Sequence, residues 1–368
     1  MFIKMKISSI WIFFCLINSI LANSSNQPIF CSNATWNPKG ITFADETIVG
    51  TWPSTLFIDT NNTIYVASYI KKEILIWFNQ SSNSTKIIRG DFLYPKSMFV
   101  TNLGDIFIDN GGVNNQVDKW ISKNETFINM MNVDSICFGL FVDQNNSLYC
   151  SMGNEHKIVK KWLNDIEVTP TTVAGNGTEG SAPNQLFHPR GIFIDDNFDL
   201  YVADNWNNRI QKFEFGKSNG ITKAGKGSFN VTIQLRYPCG IILDGNKYLF
   251  ILDHQNSRII GENENSFRCL VGCYAGLGSQ SHQLYFPSTL SFDIDGNIFV
   301  SDTNNHRIQK FIFEKDSCQN QTSTTNQIKQ NEITTQIQQD QTSIMSTTNQ
   351  IKQNQIITII LFFASLSL

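Results

Sequence analysis

With 368 residues, the chain is long enough for one large domain plus terminal segments. Its 28 Lys and Arg and 31 Asp and Glu are interspersed, giving a net charge of −3 and no basic stripe, which argues against a nucleic-acid partner.

Residues 1–22 read as a secretory signal. Lys4 and Lys6 precede a mostly apolar run from Ile10 to Leu21, and Ala22 then meets the polar stretch Asn23 to Pro28. A basic start, a short apolar run and a small residue form the pattern of a cleavable signal, and the run is short for a membrane span. Acceptor sequons agree with export. Asn33, Asn61, Asn79, Asn83, Asn124, Asn145, Asn176 and Asn230 are the expected glycosylation sites. Of eight cysteines, Cys15 falls in the signal; the other seven would meet an oxidising compartment, and their odd number leaves one thiol over.

Past residue 46 the sequence repeats. The clearest unit is His188-Pro-Arg-Gly-Ile-Phe-Ile-Asp195, Asp199-Leu-Tyr-Val-Ala-Asp204 and Asn208-Arg-Ile-Gln-Lys-Phe213. Units beginning at Tyr237-Pro238 and Phe286-Pro287 echo it, and looser copies begin at Trp52-Pro53, Tyr94-Pro95 and Gly139. The aromatic residues of the second strands are Tyr65, Phe107, Tyr149, Tyr201, Phe250 and Phe299, spaced 42, 42, 52, 49 and 49 residues apart. That spacing predicts four-stranded blades of short, β-branched and aromatic strands. A fourth strand closes most units, as in Thr172-Val-Ala-Gly175 and Thr222-Lys-Ala-Gly225, but the sixth unit has none. Thr47-Ile-Val-Gly50 matches the pattern and is predicted to pair with the third strand of the last blade, around Ile308, closing the ring and removing an open edge. Cys31 and Cys318 flank that seam and are predicted to bond each other, restricting the unfolded chain by about 4–5 kcal/mol in the chain-entropy picture. Cys137 and Cys150 lie about a hairpin turn and are predicted to bond. Cys269 and Cys273 are four residues apart, and a fully extended segment would hold them too far apart to bond; either Gly272 bends the chain or one of them pairs with Cys239.

These units resemble NHL repeats over roughly residues 46–314. The resemblance implies an all-β, six-bladed β-propeller, here spanning residues 31–318, closed by an N-terminal strand and followed by a flexible tail. It implies no single function. Asp204, Asp253 and Asp302 face Arg209, Arg258 and Arg307 on the next strand and are read as charge pairs that pin each turn.

Propeller sites lie at the channel mouth, built by the loops into the first strands and those joining strands two and three. The candidate ligand-binding residues there are Tyr94, Lys96, His188, Arg190, Trp206, Tyr237, His254 and His306. The amidating lyases of this architecture would call for zinc-binding histidines at the first-strand starts, where this chain has Ser54, Lys96, Phe138, Arg190, Cys239 and Ser288. A lactonase would need an inward calcium cage, and ubiquitin-ligase relatives carry zinc modules ahead of the propeller. No cofactor or metal is therefore expected. The reading is an exported, monomeric binding module for a protein, peptide or glycan, with a propeller lyase or lactonase as the alternative.

After Cys318 the composition turns to Gln, Asn, Thr and Ser, which cannot bury a core, so residues 319–355 read as a stalk. The apolar end, residues 356–368, follows small residues and a polar spacer and resembles a glycolipid-anchor signal.

Overall fold

The computed structural model describes residues 25–318 apart from 82, 91, 93, 111–113, 166–168, 229–232, 265 and 274–275. The signal, Asn230, the stalk and the apolar end lie outside them. The chain divides into two units at Glu314.

Six antiparallel four-stranded sheets form the first unit. Blade four is typical: Pro189–Ile194, Leu200–Asp204, Arg209–Phe213 and Ile221–Gly225. Each first strand packs against the first strands before and after it in cyclic order, the last against the first, so they surround a central axis. Glycine permits that crowding. A methyl on Gly139 would stand 2.6 Å from the Arg190 carbonyl oxygen, and one on Gly191 would strike that of Cys239.

The Asp that follows most first strands forms the turn to the second. Asp195 accepts the backbone N–H of Asn197 at 2.9 Å and Asp199 at 3.0 Å, and Asp59, Asp143, Asp244 and Asp293 each repeat the pattern. Second strands are buried on both faces; all five residues of Leu200–Asp204 are buried. The aromatics ending third strands, Trp77, Trp120, Phe213 and Phe311, are buried too, at 0–5% exposure.

The ring closes through the last blade's third strand, but with a different segment from the one expected. Residues Glu46–Val49 form a short helix, capped by the Asp45 side chain and ended by Gly50 at φ 72°. The closing strand is Ile41–Ala44, in register as Ile41↔Lys310, Thr42↔Gln309 and Ala44↔Ile308. The decisive signal was a small residue opposite a buried Ile: Ala174 faces Ile158 and Ala224 faces Ile210 in the same way. A second seal lies beside it, Thr35–Trp36 against Phe313–Glu314.

Cys137 bonds Cys150 across a bulged register, with Cα atoms 5.2 Å apart. Cys269 bonds Cys273, with Gly272 at φ 73° supplying the bend. Cys239 is a buried free thiol. Cys31 and Cys318 are each disulfide-bonded.

Candidate functional site at the upper mouth

The loops into first strands and the turns between strands two and three share one end of the propeller, called here the upper face. The one-to-two and three-to-four turns share the lower face. The lower end of the channel is covered by residues 25–30. Asn26 donates to the carbonyls of Asp59 and Phe292, and Gly245 N–H donates to Pro28. Phe30 then packs among Trp36, Phe292 and Phe313, with ring centroids 4.9–5.1 Å away. The channel is lined by all six first strands and holds about 110 Å³.

The upper face is built differently. Five residues that precede a proline at a first strand adopt left-handed backbone: Trp52, Tyr94, His188, Tyr237 and Phe286, at φ 47–61°. Bulky side chains rarely tolerate that region unless their surroundings hold them there. The preceding blade does so. His156 Nδ1 accepts the His188 N–H, Asn208 Oδ1 that of Tyr237, Ser257 Oγ that of Phe286, and His306 Nδ1 that of Trp52. This gives His306 a stitching role between the last blade and the first.

Two positions further on, the residues ring the mouth, and the ring is lopsided. Blades two to four supply Lys96, Phe138 and Arg190; the others supply Cys239, Ser288 and Ser54. Arg190 lies over the Phe138 ring at 5.2 Å, with its Nε buried and without a hydrogen-bond partner among the described residues. Lys96 lies over the Tyr69 ring at 4.3 Å, and Tyr69 stacks on Tyr94 at 4.6 Å. His188 is sandwiched between Phe138 and Trp206, the latter parallel to within 10°. His254 Nδ1 lies 2.8 Å from the Pro287 carbonyl oxygen, with its ring stacked on Phe286. Trp52, Tyr94 and Trp206 remain 44–48% exposed.

The electrostatics reflect burial around two positive charges. Burial lowers the Lys96 ammonium, and the nearby Arg190 adds to this against the pull of Asp109. His188 is lowered to about 4, by burial first and then by Arg190. Burial also lowers His254 and Arg190, and it pushes the Cys239 thiol up to about 12, so that thiol is no nucleophile. Among the described residues no three His, Cys, Asp or Glu side chains cluster as metal ligands.

The structure therefore brings Tyr94, Lys96, His188, Arg190, Trp206 and His254 to one mouth. Tyr237 is a half-buried member of the stitched set. Tyr69 and Phe138 complete the site but were absent from the candidate residues. Tyr69 sits in a two-to-three turn without the usual Asp, and its only sequence signal is an aromatic residue at a loop position.

Seven of the eight expected sequons fall on described residues, and all seven are exposed. By strand direction Asn61, Asn79, Asn83, Asn124 and Asn145 lie in turns of the lower face, and Asn33 lies in the segment beside it. Asn176 alone stands on an upper loop.

The NHL repeat model matches residues 188–213 and 284–311, in blades four and six. Six four-stranded blades close in a ring and two of them match NHL repeats, so the chain is a six-bladed β-propeller that carries NHL repeats. Among solved structures it is similar to a streptogramin B lyase, at TM-score 0.54 and 14% identity over 75% of this chain and 97% of that one. It is also similar to an auxiliary nutrient binding protein from Bacteroides thetaiotaomicron, at TM-score 0.52 and 12% identity over 79% and 76%. The virginiamycin B lyase from Staphylococcus aureus gives TM-score 0.52 and 12% identity over 74% and 98%. At these identities the likeness is one of fold. No curated protein matches the sequence.

Proposed function

We propose that this propeller is an exported binding module that recognises a protein, peptide or glycan at its upper mouth. The observation that carries the reading is the contrast between the two faces. Exposed aromatics gather at the upper mouth, whereas the lower mouth is covered by residues 25–30 and bears most of the sequons. Glycans at those asparagines would shield the lower face, whereas the upper face carries Asn176 alone among the described sites. Large, rigid aromatic side chains supply contact area at low entropic cost, which suits recognition.

Screening the secreted, glycosylated protein against extracellular-protein and glycan arrays tests this. Tyr94→Ala and Trp206→Ala are expected to weaken any ligand at least tenfold, while the lower-face change Ile29→Ala leaves it unchanged. The reverse pattern would move the site. Export is checked by an N-terminus near Asn23, by a mass shift on amide-glycan removal, and by a non-reducing peptide map joining Cys31 to Cys318. Phospholipase release from intact cells checks the glycolipid anchor.

A second reading, a propeller lyase or lactonase, draws support from the shared fold and from His188, whose Nδ1 is buried without a hydrogen-bond partner in the mouth. Stoichiometric, tight Zn²⁺ or Ca²⁺ on the purified protein would favour it.

A further inference from the structure

We infer that the upper mouth takes an anionic ligand group, held between Lys96 and Arg190, and that its ligand is a glycan bearing a single acidic sugar. This rests on the binding reading above and narrows its ligand class.

Arg and Lys side chains in a half-buried site are normally paired, because a desolvated cation without a partner is costly. The three Asp–Arg pairs of blades four to six obey that rule. Lys96 and Arg190 do not: among the described residues neither forms an ion pair. The only polar contact of Lys96 there is its backbone N–H to Asp109. The carboxylate that acts on Lys96 and those ending the second strands of blades four to six are already engaged. Asp109 accepts the N–H groups of Lys96 and Cys137, and Asp204, Asp253 and Asp302 each accept an arginine, an asparagine and a backbone N–H.

What does hold the two cations is aromatic: Lys96 on Tyr69 and Arg190 on Phe138. Ring faces tolerate a cation without neutralising it, so both donor heads stay available to an anion. A guanidinium with free donors matches a carboxylate or sulfate fork. The charge works locally: the chain as a whole is slightly acidic, so a polyanion gains nothing from long-range attraction, while one acidic group at the mouth meets two cations. The exposed rings of Tyr94 and Trp206 lie on the flanks of the same mouth and offer flat surfaces to a sugar ring beside that group.

Ligand-observed NMR titration of the full glycosylated chain with glucose, glucuronate, glucose 6-sulfate and N-acetylaspartate tests the inference. Glucuronate or glucose 6-sulfate, or both, should bind at least tenfold more tightly than glucose, and raising the salt from 50 to 300 mM should weaken them severalfold. The first two acids distinguish a carboxylate sugar from a sulfated one. Lys96→Met and Arg190→Gln should each lose the preference tenfold or more, with unchanged melting confirming the fold. Arg190→Lys should keep part of it, which separates lost charge from lost packing. Equal binding of glucose and both acidic sugars overturns the inference. Equal binding of N-acetylaspartate also overturns it, in favour of an acidic peptide. If Tyr94→Ala and Trp206→Ala abolish array ligands that Lys96→Met and Arg190→Gln leave untouched, the mouth still binds but the anionic class is wrong.

Discussion

Blades one to three and blades four to six share a strand plan yet are held together differently. In blades four to six, the residue ending strand two is Asp and the residue starting strand three is Arg, paired directly across the ladder. Arg209 bonds Asp204 at 2.6 Å with its side chain 8% exposed. In blades one to three the same register holds Ser68 and Glu73, Asn110 and Gln116, and Met152 and Lys157. Repeat length explains the difference. The later repeats are 49–52 residues, the earlier ones 42, and the extra chain lies in the loop before the blade. The arginine holds that loop: Arg209 also donates to the carbonyls of Ser181, Ala182 and Gln185, and Arg307 to those of Ser279, Gln280 and Gln283. Where the loop is short, the arginine has nothing further to hold. Blade three has a disulfide instead.

Four experiments act on this contrast. Asp204→Ala leaves Arg209 buried without its carboxylate and should cost about 3–5 kcal/mol in denaturant unfolding; a loss below about 1 kcal/mol would mean the loop carbonyls alone suffice. Cys137→Ala with Cys150→Ala opens a 13-residue loop in the earlier half and should cost about 3 kcal/mol. A melting point indistinguishable from wild type would show that blade three is held by packing alone. Moving the pair into blade one, with Ser68→Asp and Glu73→Arg, should gain no more than about 1 kcal/mol, because no long loop waits for the arginine. A gain matching the loss in Asp204→Ala would detach the pair from its loop.

The smallest effect concerns pH. Unfolded, His188 titrates near 6.5, and folded near 4, so over that window the unfolded chain binds the proton first. Its contribution to stability is complete above about 6.5 and is lost as pH falls toward 4. Subtracting the stability–pH curve of His188→Phe from that of wild type should reveal this slope. Parallel curves would place the imidazole in water.

Much of the fold was legible in the repeat. Asp195 with its two backbone partners, Gly191 against the next strand and the Asp204–Arg209 pair all follow from residues whose chemistry is local. The closing strand was legible as a need but not as a position. Thr47-Ile-Val-Gly50 alone reads as the closing strand; Ile41–Ala44 takes that place because the Asp45 cap turns the next residues into a helix and Ala44 fits opposite Ile308. At the mouth, the ring of first-strand residues was readable from spacing. The stacking of His188 on Trp206 and of Tyr69 on Tyr94 was not, since each joins loops of different blades or different turns.

By itself the sequence determined the number of blades, the strands within each and the turns between them. These depend on interactions a few residues long, repeated six times. The tertiary structure alone decided which N-terminal segment closes the ring, which cysteine stays free and how Lys96 and Arg190 come to share a mouth with no ion pair among the described residues. Those outcomes depend on contacts between residues distant along the chain, whose side chains meet only once all six blades have closed around one axis.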